Sequence, residues 1–518
     1  MTAVALSRSR PAPVLRIEIR RSVVLWAVPL LLALFYFDSF RTAAGFPPVW
    51  TVRSSVITSH MVADFGPFAA GLAAWVASRE GRRKTDDLLA TTVRPAWARQ
   101  ASALGATLFW LLFTFLAGVA AIYIDTARQA TWGGPPLWPV AVGVVEVVTF
   151  AVIGFTAGAL FPGRFTAPLA AIGTFLLAEI GFHAALQVVP GGSTYALLST
   201  ATAVPLGDDG VFYHVAPDLA ITQVTFMAGI TVALLGLLTL APFFRVAYRG
   251  LLAGVSRTGR WLCVAGVALL AAGVTTAATA FALAGTAQLA VSGWAIPALH
   301  DAASDQPIPY PPDCAGTSFQ VCVHPAFSGF LGGANTALQP VAAEVAGLPG
   351  APVRAEQVPS GEGVRAAQGL LLGGLAQVGM SGTPPVYRYT SEDGLAPFFG
   401  SPAGTDNAGW RAGFQQVFLT AFIAGAPRVA GPGPDAAVLG PTAAQQAVIT
   451  ALMTAVGSPA PQFGEDMTNG QPTAGATPTQ IAAAAQRFAS LSPAAQHAWL
   501  AAHLPALRAG TIILAQLP

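Results

Sequence analysis

Seven long apolar segments dominate the first 291 residues, and they constrain the fold more than any other feature. Crossing the hydrocarbon core of a bilayer takes about 20 mostly apolar residues in a helix. The chain is 54% hydrophobic and only 10% charged, whereas soluble domains are about 25% charged. We therefore predict an all-α membrane protein with a bundle of about seven transmembrane helices. The predicted spans are 22–40, 58–78, 103–124, 137–161, 165–189, 220–244 and 261–291.

The distribution of Lys and Arg between the connecting segments predicts the orientation. Sixteen basic residues lie in 1–21, 79–102, 162–164 and 245–260, and three lie in 41–57, 125–136 and 190–219. Because cytoplasmic loops carry the excess of Lys and Arg, the first set of segments is expected inside. Residues 1–21 then form a cytoplasmic N-terminal region with an interfacial helix at 11–21, since apolar and charged residues alternate there. An ordinary positive flank explains that pattern equally well.

Seven spans place residues 292–518 outside the cell, and their composition sets them apart. They hold 7 Lys+Arg against 12 Asp+Glu, whereas the preceding residues hold 19 against 12. Helical periodicity outweighs strand signals between many Pro and Gly residues. We expect an α-rich extracytoplasmic domain following the transmembrane domain 22–291. Its helix-like segments are 324–346, 363–379, 408–425, 441–456, 477–490 and 493–507.

Two of the three cysteines lie close together in this domain. Cys314 and Cys322 are eight residues apart, and in an oxidising compartment such a pair is typical of a disulfide. Two free thiols are the alternative. A zinc site is not expected, because His324 is the only other ligand nearby. We predict no metal site in the chain.

The chain carries no Walker A motif for binding nucleotide phosphates. Its only lysine is Lys84, which follows Arg83 outside any glycine-rich loop, whereas a P-loop needs a lysine after glycine to reach the phosphates. Motifs of zinc proteases and serine hydrolases are also missing, and the acidic balance of the C-terminal half argues against nucleic-acid binding. We therefore predict that the chain is not itself an enzyme and carries no cofactor.

A charged segment between the second and third spans carries a resemblance to a known family. Residues 79–99 read REGRRKTDDLLATTVRPAWAR, with an acidic start, a Leu-Leu pair, a Thr/Pro element and a basic end. This segment, with the interfacial helix and the first six spans, resembles the permease subunits of ABC-2-type exporters over residues 10–245. The resemblance implies a bacterial plasma-membrane exporter, a permease homodimer or heterodimer, and a separate ATPase subunit that binds ATP and Mg²⁺. The residues it implies for coupling to that ATPase are Glu80, Asp86, Asp87, Leu88 and Leu89.

Two features depart from this family, and other functions stay open. Such permeases usually end after six spans, whereas here a seventh precedes a large domain, and the Thr/Pro element is displaced to 92–95. The loop could also be an ordinary solvated surface. An envelope-anchored binding or assembly protein is the alternative function, and a membrane-anchored hydrolase is disfavoured by the missing motifs. Seven spans exceed what anchoring requires, which favours the permease.

Four Asp, Glu or His residues lie more than three residues from either end of the predicted spans, where each costs about 2.5–3.5 kcal/mol on insertion scales. Such residues usually face a bundle interior or a cavity. They could line a substrate path or only hold helices together. Glu179 and His183 are four residues apart, so they share a helix face. The four are Asp64, Glu146, Glu179 and His183.

Overall fold

The N-terminal half of the protein is a bundle of long helices. In this computed structural model, the described residues are 11–83, 95–186, 197, 209–248, 257–285, 305–359, 379–390, 408–425, 428–430, 437–461, 463 and 476–518. Two helices of the bundle contain a π-helical turn. Helix α2 continues through Tyr36–Phe40 into Arg41–Gly45, and α3 is split by Ile57–Met61. The bundle helices are α1 (Pro11–Arg21), α2 (Val23–Phe35), α3 (Trp50–Val56 and Val62–Ala77), α4 (Arg79–Arg82), α5 (Ala96–Gln129), α6 (Trp138–Leu160), α7 (Thr166–Leu186), α8 (Asp209–Phe212), α9 (Asp218–Tyr248) and α10 (Arg257–Gly285).

Five helices in the described ranges are long and apolar enough to cross a membrane. They are Val23–Gly45, Ala96–Gln129, Trp138–Leu160, Asp218–Ala241 and Arg260–Ala282. The predicted spans 58–78 and 165–189 also coincide with helices, α3 and α7. Helix α3 contains Asp64 and Pro67, and α7 contains the apolar stretch Thr166–Gly181. A bundle of long, apolar helices compatible with several membrane passes is confirmed, and the count of seven spans stays a prediction.

Small residues let the bundle helices approach each other closely. Gly154 of α6 lies against the backbone of Ala70 in α3, so that a Cβ at this position would overlap the Ala70 carbonyl. Across the α6–α9 contact, the hydroxyls of Thr149 and Thr231 are 2.9 Å apart. Helices in membranes associate through such small residues and interhelical hydrogen bonds, because lipid supplies no hydrophobic drive between them.

The C-terminal domain is built on a five-stranded sheet with helices packed on it. The strand order is β3-β4-β5-β7-β6, with β4, β5 and β7 parallel and the two edge strands antiparallel. The strands are β3 (Asp313–Ala315), β4 (Gln320–Val323), β5 (Arg354–Val358), β6 (Gly379–Ser381) and β7 (Val386–Thr390). The helices are α11 (Leu331–Val345), α12 (Ala408–Ala424), α13 (Ala443–Ala455), α14 (Pro478–Ala489) and α15 (Pro493–Arg508), with 3₁₀ turns at Pro325–Phe330 and Leu514–Gln516.

Within the described residues the domain is rich in helix, as predicted, but it also contains this sheet, so the all-α class holds for the bundle and not for the domain. The strands of this sheet have only three to five residues, and the helical periodicity of the sequence did not predict them. Five of the six predicted helical segments contain helix, and the sixth, 363–379, lies outside the described residues except for its last position. Cys314 and Cys322 face each other on β3 and β4 and form a disulfide, so this prediction is confirmed.

One hydrophobic core joins the domain to the bundle. Buried side chains of the domain, such as Phe418 and Tyr389, belong to the same cluster as Val49 and Val52 near the start of α3 and Phe212 at the end of α8. A two-stranded ribbon, β1 (Tyr213–His214) with β2 (Gln306–Pro307), bridges the two parts, and β8 (Arg428–Ala430) pairs with β9 (Ala437–Leu439) elsewhere in the domain. The end of the bundle that carries the domain is called the domain end below.

Candidate functional site

The opposite end of the bundle gathers segments that the Lys/Arg count assigns to the cytoplasm. We call it the basic end: it comprises α1, α4 and the first turns of α5. The indole Nε1 of Trp110 donates to the Ile19 carbonyl over 2.8 Å, which fixes α1 along α5. Gly81 in α4 contacts Pro162, in the loop after α6. Segments predicted to share one side of the membrane thus lie together, and the assignment of that side to the cytoplasm stays a prediction.

An ion pair closes the base of the predicted coupling loop. Arg99, in the first turn of α5, donates from Nε to Glu80 Oε1 over 3.3 Å and from Nη2 to Glu80 Oε2 over 3.4 Å. Both side chains are mostly buried, at 20% and 30% exposed. In the sequence, these two residues flank positions 84–94. The carboxylate of Glu80, in α4 directly after α3, is thus engaged within the chain and links α4 to the start of α5.

The remaining predicted coupling residues, Asp86, Asp87, Leu88 and Leu89, lie outside the described residues. Their role in binding an ATPase stays a prediction. Arg99, which sequence reasoning treated only as part of the basic end of the loop, is the residue that anchors it. Arg99 lies 19 residues after Glu80, and this separation matches neither helical nor strand periodicity. The sequence therefore offers no pattern that predicts the pair.

Beside this ion pair lies an arginine cavity of about 260 Å³, enclosed by α1, α2, α3, α4 and α5. Its charged lining consists of Arg79, Arg82, Arg83 and Glu18. The Arg82 guanidinium carbon lies 3.5 Å from the centre of the Trp75 ring. Burial and the neighbouring positive charge of Arg83 lower the pKa of Arg82. Because positive charge exceeds negative charge here, the cavity is suited to an anion.

The predicted intramembrane polar residues are not gathered into one site by the described structure. Glu146 is buried in α6, at 1% exposed, and Glu179 is half-buried on α7. The side chains of Asp64 and His183 lie outside the described residues, so the proposed Glu179–His183 contact stays a prediction.

A buried ion pair at the domain end was not predicted from the sequence. Arg53 in α3 is 3% exposed, and its Nη1 donates to Asp125 Oδ2 in α5 over 2.9 Å. Its other nitrogens donate to the Phe46 carbonyl and to Gln129. Sequence reasoning assigned Arg53 to an external loop and did not examine Asp125, although an Arg at the start of one apolar run and an Asp at the end of the next was a visible signal.

His324 seals the junction between bundle and domain. Its ring packs against Tyr310, Phe212 and Trp132 at centroid distances of 4.1, 4.9 and 5.3 Å. The imidazole is 1% exposed, and Nδ1 accepts a hydrogen bond from the Ala326 N–H. Burial lowers the pKa of His324 to about 4, so the ring is neutral at pH 7. The arrangement suits packing rather than proton transfer, and the disulfide removes Cys322 as a nucleophile.

A second cavity, of about 340 Å³, lies between the β1–β2 ribbon and the open face of the sheet. Tyr310, Glu356 and Arg388 line it. Glu356 pairs with Arg354, whereas the buried Nε of Arg388 has no hydrogen-bond partner. The cavity lies towards the carboxyl ends of β4 and β5, the edge where parallel sheets commonly bind ligands.

Within the described residues, no group of three or more His, Cys, Asp or Glu side chains is placed to hold a metal ion. Comparisons with protein-family models, with curated proteins and with solved structures find no match for this chain.

Proposed function

We propose that this chain is the membrane-spanning permease subunit of an ABC-type exporter, driven by a separate ATPase that docks at the basic end. The observation that carries the proposal is the Glu80–Arg99 ion pair at the base of the 84–94 segment. A loop whose two ends are fixed to each other moves as one unit with the helices that carry it. Docking of a partner on this loop would therefore displace α3 and α5 together.

The packing of α3 explains how such a displacement would reach the centre of the bundle. Helix α3 lies against α6 and α7, and its contact with α6 is made through Gly154 and Gly158 on the backbone of Ala70 and Ala74. Close-packed interfaces of this kind transmit rigid-body movement because they compress little. The basic end and the helix core are thus mechanically continuous, as an exporter driven from one side requires.

The partner supplies what this chain lacks. The ATPase subunit would hold ATP and Mg²⁺, and two permease chains, identical or different, would enclose the pathway. Leu88 and Leu89 would fill an apolar groove on the ATPase, while Asp86 and Asp87 would meet its basic residues. The proposed setting is a bacterial plasma membrane, with the N-terminus in the cytoplasm and residues 292–518 outside.

The test is a double substitution, Leu88→Ala with Leu89→Ala, measured for membrane abundance, ATPase binding and transport. Loss of a desolvated apolar anchor costs about 2 kcal/mol or more, so we expect ATPase binding to weaken at least about 30-fold at normal abundance. Phe113→Ala with Leu116→Ala, which truncates two exposed apolar side chains of α5 outside the loop, is the matched control and should bind normally. Unchanged ATPase binding and transport by the leucine variant would contradict the proposal.

The ion pair gives a second test of the same proposal. Glu80→Arg should uncouple ATP hydrolysis from transport, because like charges then separate the ends of the loop. Glu80→Arg combined with Arg99→Glu should restore coupling, since the pair is re-formed with its charges exchanged. Failure of the exchanged pair to recover any coupling, in a protein that inserts normally, would show that the pair does not carry the movement.

The second cavity favours one alternative, an envelope-anchored binding protein. Its lining offers an aromatic ring from Tyr310 and an unpartnered donor from Arg388, which together suit a ligand that combines an acceptor with an apolar part. The two functions differ in one measurement. A binding protein retains its ligand affinity without any ATPase and after Leu88→Ala with Leu89→Ala, and it shows no nucleotide-dependent transport.

A further inference from the structure

We propose that the arginine cavity at the basic end binds the phosphate headgroup of an anionic phospholipid from the adjoining leaflet. This site lies at the same end of the bundle as the proposed ATPase contact but uses other residues, and it does not depend on transport activity. It would hold a lipid as a fixed component between α1, α2 and α3.

The charges around the cavity are unbalanced. Three guanidinium groups, those of Arg79, Arg82 and Arg83, share the lining with one carboxylate, that of Glu18. Glu18 Oε1 lies 3.9 Å from Arg79 Nη2, so it offsets only part of one positive charge. The first residues of α2, Ser22 and Val23, also face the cavity, and a helix N-terminus adds partial positive charge. An anion held here would be stabilised from three sides.

One arginine is oriented in advance for such a ligand. Arg82 is fixed over the Trp75 ring and donates from Nη2 to the Trp75 carbonyl over 3.0 Å. Its Nη1 is buried and has no hydrogen-bond partner. A rigid guanidinium with an unused donor matches the geometry of a phosphate oxygen, which arginine recognises better than lysine. An anion would also stabilise the charged form that burial and Arg83 disfavour.

The surroundings favour a lipid over free phosphate. Val23, on the cavity wall, is 46% exposed, and Trp26, less than one turn further along α2, is 84% exposed. Trp75 on α3 is 45% exposed. The cavity therefore opens onto an apolar surface that acyl chains can cover, with tryptophans at the level where headgroups lie. Basic pockets between helices on the cytoplasmic side suit anionic headgroups.

The experiment measures lipid retention by the full-length chain in dodecyl maltoside, using native mass spectrometry with added dioleoylphosphatidylglycerol. We expect one retained lipid per chain in the wild type, and at least a tenfold weaker affinity in Arg82→Gln. Arg164→Gln removes one exposed positive charge near the same end, outside the cavity, and should retain the lipid. Dioleoylphosphatidylcholine and inorganic phosphate should not displace it.

Three results would overturn the proposal: equal affinity in Arg82→Gln and Arg164→Gln, equal retention of phosphatidylcholine, or displacement by millimolar phosphate, which would indicate a free-anion site. Should Arg82→Gln fail to fold, a photoreactive phosphatidylglycerol on the wild-type chain decides instead. Label on the peptides that contain Val23 or Trp75 supports the site, and label confined to α9 and α10 contradicts it.

Discussion

Replacing Asp125 with alanine should destabilise the protein by about 2–3 kcal/mol, because Arg53 then stays buried without its counter-ion. Removing one partner of a fully buried pair costs about 3–5 kcal/mol. The lower value follows from the structure: Arg53 is 3% exposed but Asp125 is 28% exposed, so water can partly replace the carboxylate. Arg53 also keeps its hydrogen bonds to the Phe46 carbonyl and to Gln129.

The assay is denaturant unfolding in dodecyl maltoside, followed by tryptophan fluorescence and compared between variants. Arg53→Met with Asp125→Leu should recover most of the loss, because an apolar pair of similar volume leaves no charge buried. Glu356→Ala breaks the Arg354–Glu356 pair, whose side chains are 47% and 29% exposed, and should cost under about 1 kcal/mol. Equal losses for Asp125→Ala and Glu356→Ala would refute the reasoning from burial.

Three further predictions concern the helix packing, the disulfide and the junction. Gly154→Ala should destabilise the protein by about 1–3 kcal/mol in the same unfolding assay, because the added methyl group overpacks the helix contact. Gly173→Ala should not destabilise the protein, because nothing lies within 4 Å of a Cβ at that position. Equal effects of the two substitutions would contradict the close α3–α6 contact. Alkylation of the folded, unreduced protein should label neither Cys314 nor Cys322, and their bond should be worth about 2–3 kcal/mol by loop entropy; labelling of both would contradict the bond. In the unfolded chain His324 binds a proton below its ordinary pKa of 6.5, whereas the buried ring binds one only near pH 4. The free energy of unfolding should therefore fall as the pH drops from 6.5 to 4, by an amount on the order of 3 kcal/mol. An equal loss in His324→Gln would assign the acid sensitivity to other groups.

The lengths of the apolar segments predicted most of the bundle helices, because the apolar length of a segment is a local property of the chain. Spans such as 103–124 and 137–161 coincide with α5 and α6, since a lipid-exposed helix must satisfy every backbone hydrogen bond within itself. The interfacial segment 11–21 is helical as predicted. The Arg53–Asp125 pair was not predicted, because the partners are 72 residues apart and only the packing of α3 on α5 brings them together.

In the C-terminal domain, the local sequence pattern did not predict the strands of the sheet. Val386–Thr390 reads Val-Tyr-Arg-Tyr-Thr, with both tyrosines buried and Arg388 on the other face. This alternation of β-branched and aromatic residues is a strand signal, but frequent Pro and Gly between long helical segments hid it. The parallel order of β4, β5 and β7 depends on contacts between distant segments, which periodicity cannot supply.

Purification of the chain from its native membrane, followed by measurement of ATP hydrolysis, tests the central claim most directly. We predict that a P-loop ATPase co-purifies in a fixed ratio with the chain and that its hydrolysis rate depends on the chain. Leu88→Ala with Leu89→Ala should abolish the association, whereas Phe113→Ala with Leu116→Ala should not. A chain that purifies intact from gently solubilised membranes without any ATPase, and with no ATP hydrolysis above that of a mock preparation, would contradict the permease assignment.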